Sequence, residues 1–71
     1  MKIVKIKENS LAQEIGLTSG DRLLKINGER VLDHLDYEFR IADENVTLDL
    51  QIKGELNQII VEKNYDDDLG V

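Results

Sequence analysis

A chain of 71 residues with 41% hydrophobic content holds one domain with a small core and no room for an enclosed substrate chamber. Its formal net charge of -6 opposes binding to a phosphate backbone, and the absence of cysteine removes disulfides, thiolate metal sites, iron-sulphur ligation and thiol catalysis. No apolar run is long enough for a membrane-spanning helix, so the expectation is a cytoplasmic protein with neither nucleic acid nor membrane among its partners.

In chain order, residues 2–7 alternate, with Lys2, Val4 and Ile6 opposite Ile3, Lys5 and Lys7, and read as a short first strand ended by Glu8-Asn9. The stretch from Ser10 to Gly28, SLAQEIGLTSGDRLLKING, carries a complete set of start and stop signals. Ser10 is placed to accept the backbone N–H of Gln13, whose side chain reaches back, and this capping box starts a helix. Gly16 ends that helix and Leu17 folds back onto it. Thr18 to Asp21 turn the chain, Arg22 to Ile26 form a short apolar strand, and Asn27-Gly28 is a tight hairpin pair leading into a brief strand at Glu29-Arg30-Val31.

A second helix is expected from Asp33 or Leu35 to about Ala42, capped by Asp33 or Asp36. Leu35, Phe39 and Ala42 share one helical face, with Tyr37 and Ile41 on a neighbouring one. The same letters alternate as Leu35, Tyr37, Phe39 and Ile41, so an extended segment stays open as a reading. Val46, Leu48, Leu50 and Ile52 then point one way, and Thr47, Asp49 and Gln51 the other, as in a half-buried strand. Lys53-Gly54-Glu55 turn it into a partner strand from Leu56 to Lys63. The domain is expected to span 1–63. Residues 64–71 read as an acidic surface linker followed, at Leu69-Gly70-Val71, by the start of a truncated loop or strand.

The chemical motifs are sparse. No glycine-rich phosphate loop occurs, and Gly20-Asp21 reads as a turn in which Asp bonds nearby amides. His34, beside Asp33, Asp36 and Ser10, has neither the placed nucleophile nor the oxyanion hole of a triad, and reads as part of a solvated helix cap. A lone His beside two carboxylates lacks the converging ligands of a closed metal site, and Asp66-Asp67-Asp68 lacks the spacing of a calcium loop. No cofactor and no catalysis by this chain are expected. If Leu35 and Phe39 face inward, Arg40 lies on the other side of the second helix, where it could meet an acidic partner.

The order strand, SLAQEIGL, TSGD, RLLKING, helix, hairpin resembles the PDZ domain family. Ser10-Leu11-Ala12 stands where bacterial members often have Ser-Pro-Ala, and Gly16-Leu17, Gly20-Asp21 and Leu24-Lys25-Ile26-Asn27-Gly28 match directly. The resemblance implies an α+β fold, a partly open antiparallel β-barrel of about five strands with two short helices. It also implies a module that recognises a protein or peptide by adding an extended segment or C-terminal tail to a sheet edge, beside the second helix and a glycine-containing loop. In common members that loop and the edge strand come before the strand that residues 2–7 resemble. Leu69-Gly70-Val71 looks like such a loop moved to the C-terminus. The implied peptide-binding residues are therefore Leu69, Gly70, Val71, Asp36 and Arg40.

Some PDZ domains read a ligand hydroxyl with a histidine at the start of the second helix; counting from Asn27-Gly28 places that first turn nearer Asp36 than His34. A narrower resemblance, in LDHLDYEFRIADE and VEKNYDDDLG, is to the N-terminal PDZ-like module of a bacterial family of radical S-adenosylmethionine iron-sulphur proteins. It implies a larger multidomain enzyme whose cysteine motif lies downstream, with this chain as an intramolecular docking or regulatory domain. An open sheet edge would be met by another part of the parent chain or by a homodimer.

Overall fold

The computed structural model describes the whole chain, Met1–Val71. Two turns with left-handed backbone set the strand pairing. Asn27 (φ 52°) and Gly28 (φ 81°) close β1 (Arg22–Ile26) onto β2 (Glu29–Arg30). Lys53 (φ 51°) and Gly54 (φ 83°) close β3 (Val46–Ile52) onto β4 (Glu55–Val61). Positive φ at both central residues of a two-residue loop matches the right-handed twist of the flanking strands.

The four strands form one antiparallel sheet in the order β2-β1-β3-β4. β3 and β4 pair without interruption from Val46 opposite Val61 to Ile52 opposite Glu55, whereas β1 and β3 shift register between Leu23 and Lys25. Asn27 ties the turn to the next strand, since its side-chain carbonyl accepts the Thr47 N–H and its own N–H donates to the Thr47 carbonyl, both at 2.8 Å. The alternation expected of β3 is observed: Val46, Leu48 and Leu50 are buried, and Thr47 and Asp49 sit on the outer face, half-buried.

Two short helices cover the inner face. α1 (Leu11–Glu14) starts at Ser10, whose hydroxyl accepts the Gln13 N–H at 3.2 Å, and the Gln13 side chain returns to the Asn9 N–H at 2.7 Å. α2 (His34–Ile41) is capped by Asp33, which accepts the Asp36 N–H at 2.9 Å, while the Asp36 carboxylate accepts the Leu32 N–H at 3.0 Å. These reciprocal bonds satisfy donors that the first turn would otherwise leave open, and they put His34 at the first helical position. Leu23, Ile26, Leu48 and Leu50 of the sheet close over Ala12, Leu17, Tyr37 and Ile41 to make the core, with Ile3 and Leu69 completing it from outside the regular elements.

Asp21 joins two turns that are distant in sequence. One carboxylate oxygen accepts from the Thr18 N–H at 2.9 Å and the Thr18 hydroxyl at 3.2 Å, and the other accepts the Lys53 N–H at 3.0 Å. Gly20-Asp21 is a turn whose Asp bonds amides, and one of those amides belongs to the β3–β4 hairpin.

Three expectations are corrected. The sheet has four strands and not about five, because residues 2–7 contribute one isolated bridge, Lys2 opposite Arg22. Ile3 donates to Asp21 and accepts from Gly20, after which the backbone diverges from β1 and no strand lies on its other side. Within that segment Ile3 enters the core, while Val4 is 76% exposed. The inward face of α2 is formed by Tyr37 and Ile41; Leu35 and Phe39 are more than three-quarters exposed. The caps fix where the helix starts, and Tyr37 can be buried because its hydroxyl has a partner inside, the Leu69 N–H at 2.8 Å.

Leu69 is fully buried, and the chain around it is bonded to the N-terminal third: Ala12 N–H donates to the Leu69 carbonyl at 2.9 Å and Lys7 N–H to the Gly70 carbonyl at 2.8 Å. Asn64 to Asp68 run exposed over the surface. No helix is long and apolar enough to cross a membrane, and no group of His, Asp and Glu residues converges as a metal site.

Candidate functional site

The inward face of α2 emerges at a groove, where exposed His34 and Glu38 flank buried Tyr37 and Ile41. His34, Tyr37, Glu38 and Ile41 follow the spacing of residues that share one helical side, and together they wall a groove of about 400 Å³ whose far side is formed by Lys7 and Val71. Asp66, Asp67 and Asp68 rim it. His34 Nε2 stands 3.3 Å from Glu38 Oε1, and the His34 ring packs against Tyr37 with centroids 5.3 Å apart.

Tyr37 forms the bottom of the groove. Burial pushes its phenol up to about 12, so the hydroxyl keeps its proton and holds the Leu69 N–H as a neutral acceptor. The Gly70 N–H donates to Asp68 Oδ1 at 2.9 Å. Two of the three amides in Leu69-Gly70-Val71 are thus engaged within the chain.

The segment that leads into Lys7 at the groove wall has few backbone partners. Lys2, Lys5 and Ile6 make no backbone hydrogen bond, and the Val4 carbonyl accepts only the Ser19 hydroxyl, at 2.9 Å. Unpaired N–H and C=O groups in extended chain are a template for another strand. The helix face and the groove meet this segment at Lys7.

The family model for the PDZ domain matches residues 2–52. The chain belongs to the PDZ domain family. PDZ domains are in general non-catalytic protein-interaction modules, and this one takes that general role from its family. The match runs through α1, β1, β2, α2 and β3 and stops before β4, so the tail that closes the groove lies outside it. No curated protein matches the chain.

Of the residues singled out in the sequence, Val71 lines the groove of this PDZ domain, and Leu69 and Gly70 lie buried beneath it. Asp36 is occupied in the cap of α2. Arg40 lies on a different side of the helix, beside Phe39, Asp43 and Tyr65, because Tyr37 and Ile41 face inward where Leu35 and Phe39 were expected; its Nε is buried without a partner. His34, Glu38, Ile41 and Lys7 were not singled out for the site. The available signal was the Asp33/Asp36 cap, which makes His34 the first helical residue and sets Tyr37, Glu38 and Ile41 on its side.

Proposed function

We propose that the domain binds an extended polypeptide segment by strand addition, the segment lying between the free backbone of Lys5 and Ile6, leading into Lys7, and the His34–Glu38–Ile41 face of α2. The observation that supports this reading is that Lys5 and Ile6, just before Lys7 at the groove wall, have no backbone hydrogen bond. Ile41 and Val71 offer apolar contact, His34 offers a ring nitrogen at the helix start for a ligand hydroxyl, and Glu38 with Asp66, Asp67 and Asp68 outweighs Lys7, which selects a basic segment. With the Leu69 and Gly70 amides engaged, an internal segment suits the groove better than a free C-terminal carboxylate.

A second reading has the parent chain itself as occupant, in a docking domain of a larger enzyme such as the radical S-adenosylmethionine proteins that the sequence resembles. The bond from Lys7 N–H to Gly70 C=O favours it, since the chain's own tail already begins to pair with this edge. The test is a titration of extended basic peptides, internal and C-terminal, into the isotope-labelled domain at low and high salt. Shifts at Lys5, Ile6, His34 and Ile41 that weaken with salt, and that His34→Ala reduces, are expected. Absence of shifts at these positions with every peptide rejects recognition of a separate segment. Insensitivity to the same peptides joined to faster backbone exchange at Lys7 on loss of residues 69–71 would favour the same-chain occupant.

A further inference from the structure

The groove and residues 2–6 do not include the longest free edge of the sheet. β4 is an edge strand of seven residues, regularly paired to β3 on one side and bare on the other. The opposite edge, β2, has two residues, both charged, which is how natural sheets blunt an edge. β4 is charged only at its first residue, Glu55: Leu56-Asn57-Gln58-Ile59-Ile60-Val61 carries no charge and no proline, and its register with β3 contains no bulge. Leu56 is 76% and Ile60 73% exposed, both on the outer face of the sheet.

Which backbone groups are free follows from the pairing. Thr47 directs its N–H and C=O toward Asn27 and β1, so the alternate residues Val46, Leu48, Leu50 and Ile52 direct theirs toward β4. The two-residue turn at Lys53-Gly54 gives the same phase, because its closing pair, Ile52 and Glu55, exchanges both bonds. Glu55, Asn57, Ile59 and Val61 therefore bond β3. Leu56, Gln58 and Ile60 present their N–H and C=O outward.

The geometry points to a second copy of this chain as the occupant of that edge, in an antiparallel β4–β4 pairing with its two-fold axis at Gln58. In this register Gln58 faces Gln58 of the second copy, and Leu56 faces the second copy's Ile60 on both sides of the axis. Every outward N–H and C=O of Leu56, Gln58 and Ile60 then finds a partner, and shifting the axis to Leu56 or Ile60 leaves some unpaired. The side chains agree with the backbone: Leu56, Gln58 and Ile60 share the outer face, so two Leu–Ile cross-strand pairs flank the central glutamines. The nearest acidic residues, Glu55 and Glu62, fall opposite Val61 and Gly54, so no carboxylates confront each other. The result is one sheet running from β2 through both β4 strands to β2 of the second copy.

One strand contact is small beside the ~1,200–2,000 Å² of a stable interface, so the dissociation constant is on the order of 0.1–1 mM. The net charge of -6 on each copy makes association tighten as salt is raised. The proposal is independent of the groove and stands or falls separately from it. Sedimentation equilibrium of the 71-residue chain from about 20 µM to about 1 mM is the test, with amide exchange followed by NMR. The mean mass is expected to climb from 8.1 kDa toward twice that value, with slowed exchange at Leu56, Gln58 and Ile60. Gln58→Pro removes an outward N–H, which an edge strand tolerates, and Ile60→Lys places a charge in the pairing. Both are expected to stay at 8.1 kDa with the dispersed spectrum of the folded monomer. A wild-type mass of 8.1 kDa at the highest concentration overturns the proposal, as does a dimer that survives both substitutions or one whose slowed amides lie in residues 2–6.

Discussion

Gly70→Ala tests how the tail is held. Gly70 has φ +85°, and a Cβ added there would lie 2.4 Å from Ser10 Cβ and 3.0 Å from Ser10 Oγ. A left-handed alanine costs about 1–2 kcal/mol. Relieving the contact means moving Ser10, whose hydroxyl caps α1 and donates to the Lys7 carbonyl at 2.7 Å. Loss of a cap and overpacking together add about 2–3 kcal/mol. The expected loss, about 3–5 kcal/mol, is a large part of the ~4–11 kcal/mol that a domain of this length commands. Gly54→Ala is the control, because Gly54 has φ +83° with nothing within 4 Å of its added Cβ. It should cost only the left-handed share, about 1–2 kcal/mol. Urea unfolding followed by circular dichroism reads both, from midpoint and slope. Equal losses in the two variants would refute the reasoning, since the Ser10 contact would then add nothing.

Tyr37→Phe leaves the buried Leu69 N–H without its acceptor and should cost about 1–3 kcal/mol in the same assay. Because the folded phenol holds its proton up to about 12 while the unfolded one releases it near 10, the wild-type domain should lose stability as pH rises through that window. The Phe variant should lack this component, and an unchanged alkaline slope would count against a buried hydroxyl. At the acid end, amides of Lys53 and Thr18 hold the Asp21 carboxyl below its usual value, so its contribution is present above about pH 4 and disappears as pH falls through the folded value. Asp21→Ala should flatten the acid limb of stability against pH, and an unaltered limb would show that the staple does not favour the ionised form.

The sequence disclosed what local rules control. Ser10 and Gln13, Asn27-Gly28 and the alternation of β3 each depend on neighbours a few residues away, and each is found as read. The roll of α2 was not legible, because Leu35 and Phe39 are as apolar as Tyr37 and Ile41, and the choice between the faces depends on a hydrogen bond to Leu69, 32 residues further on. For the same reason Leu69 read as the start of something unfinished. Its burial needs Ile3, Ala12 and Tyr37 assembled around it, and no periodicity announces a single leucine after three aspartates. Residues 2–7 had the letters of a strand, but a strand exists only with a neighbour, and alternation gives no sign of one. The groove was obscured by the error in helix roll, which drew attention to Arg40 and away from Glu38 and Ile41.

The position of Leu69 bears on how the chain acquires its structure. Leu69 lies furthest along the chain of the thirteen buried core residues and emerges after the other twelve, and the contacts made around it reach back to Lys7 and Ala12. Closing so long a loop is entropically slow, whereas the β3–β4 hairpin and the neighbouring β1 form through nearer partners. The sheet is therefore expected to assemble first, around a void that only the arriving tail can fill. A nascent chain that has not yet delivered Leu69 exposes the underside of Tyr37 and the Ala12 N–H, and the interval before delivery is when this small domain is most open to chaperones and proteases.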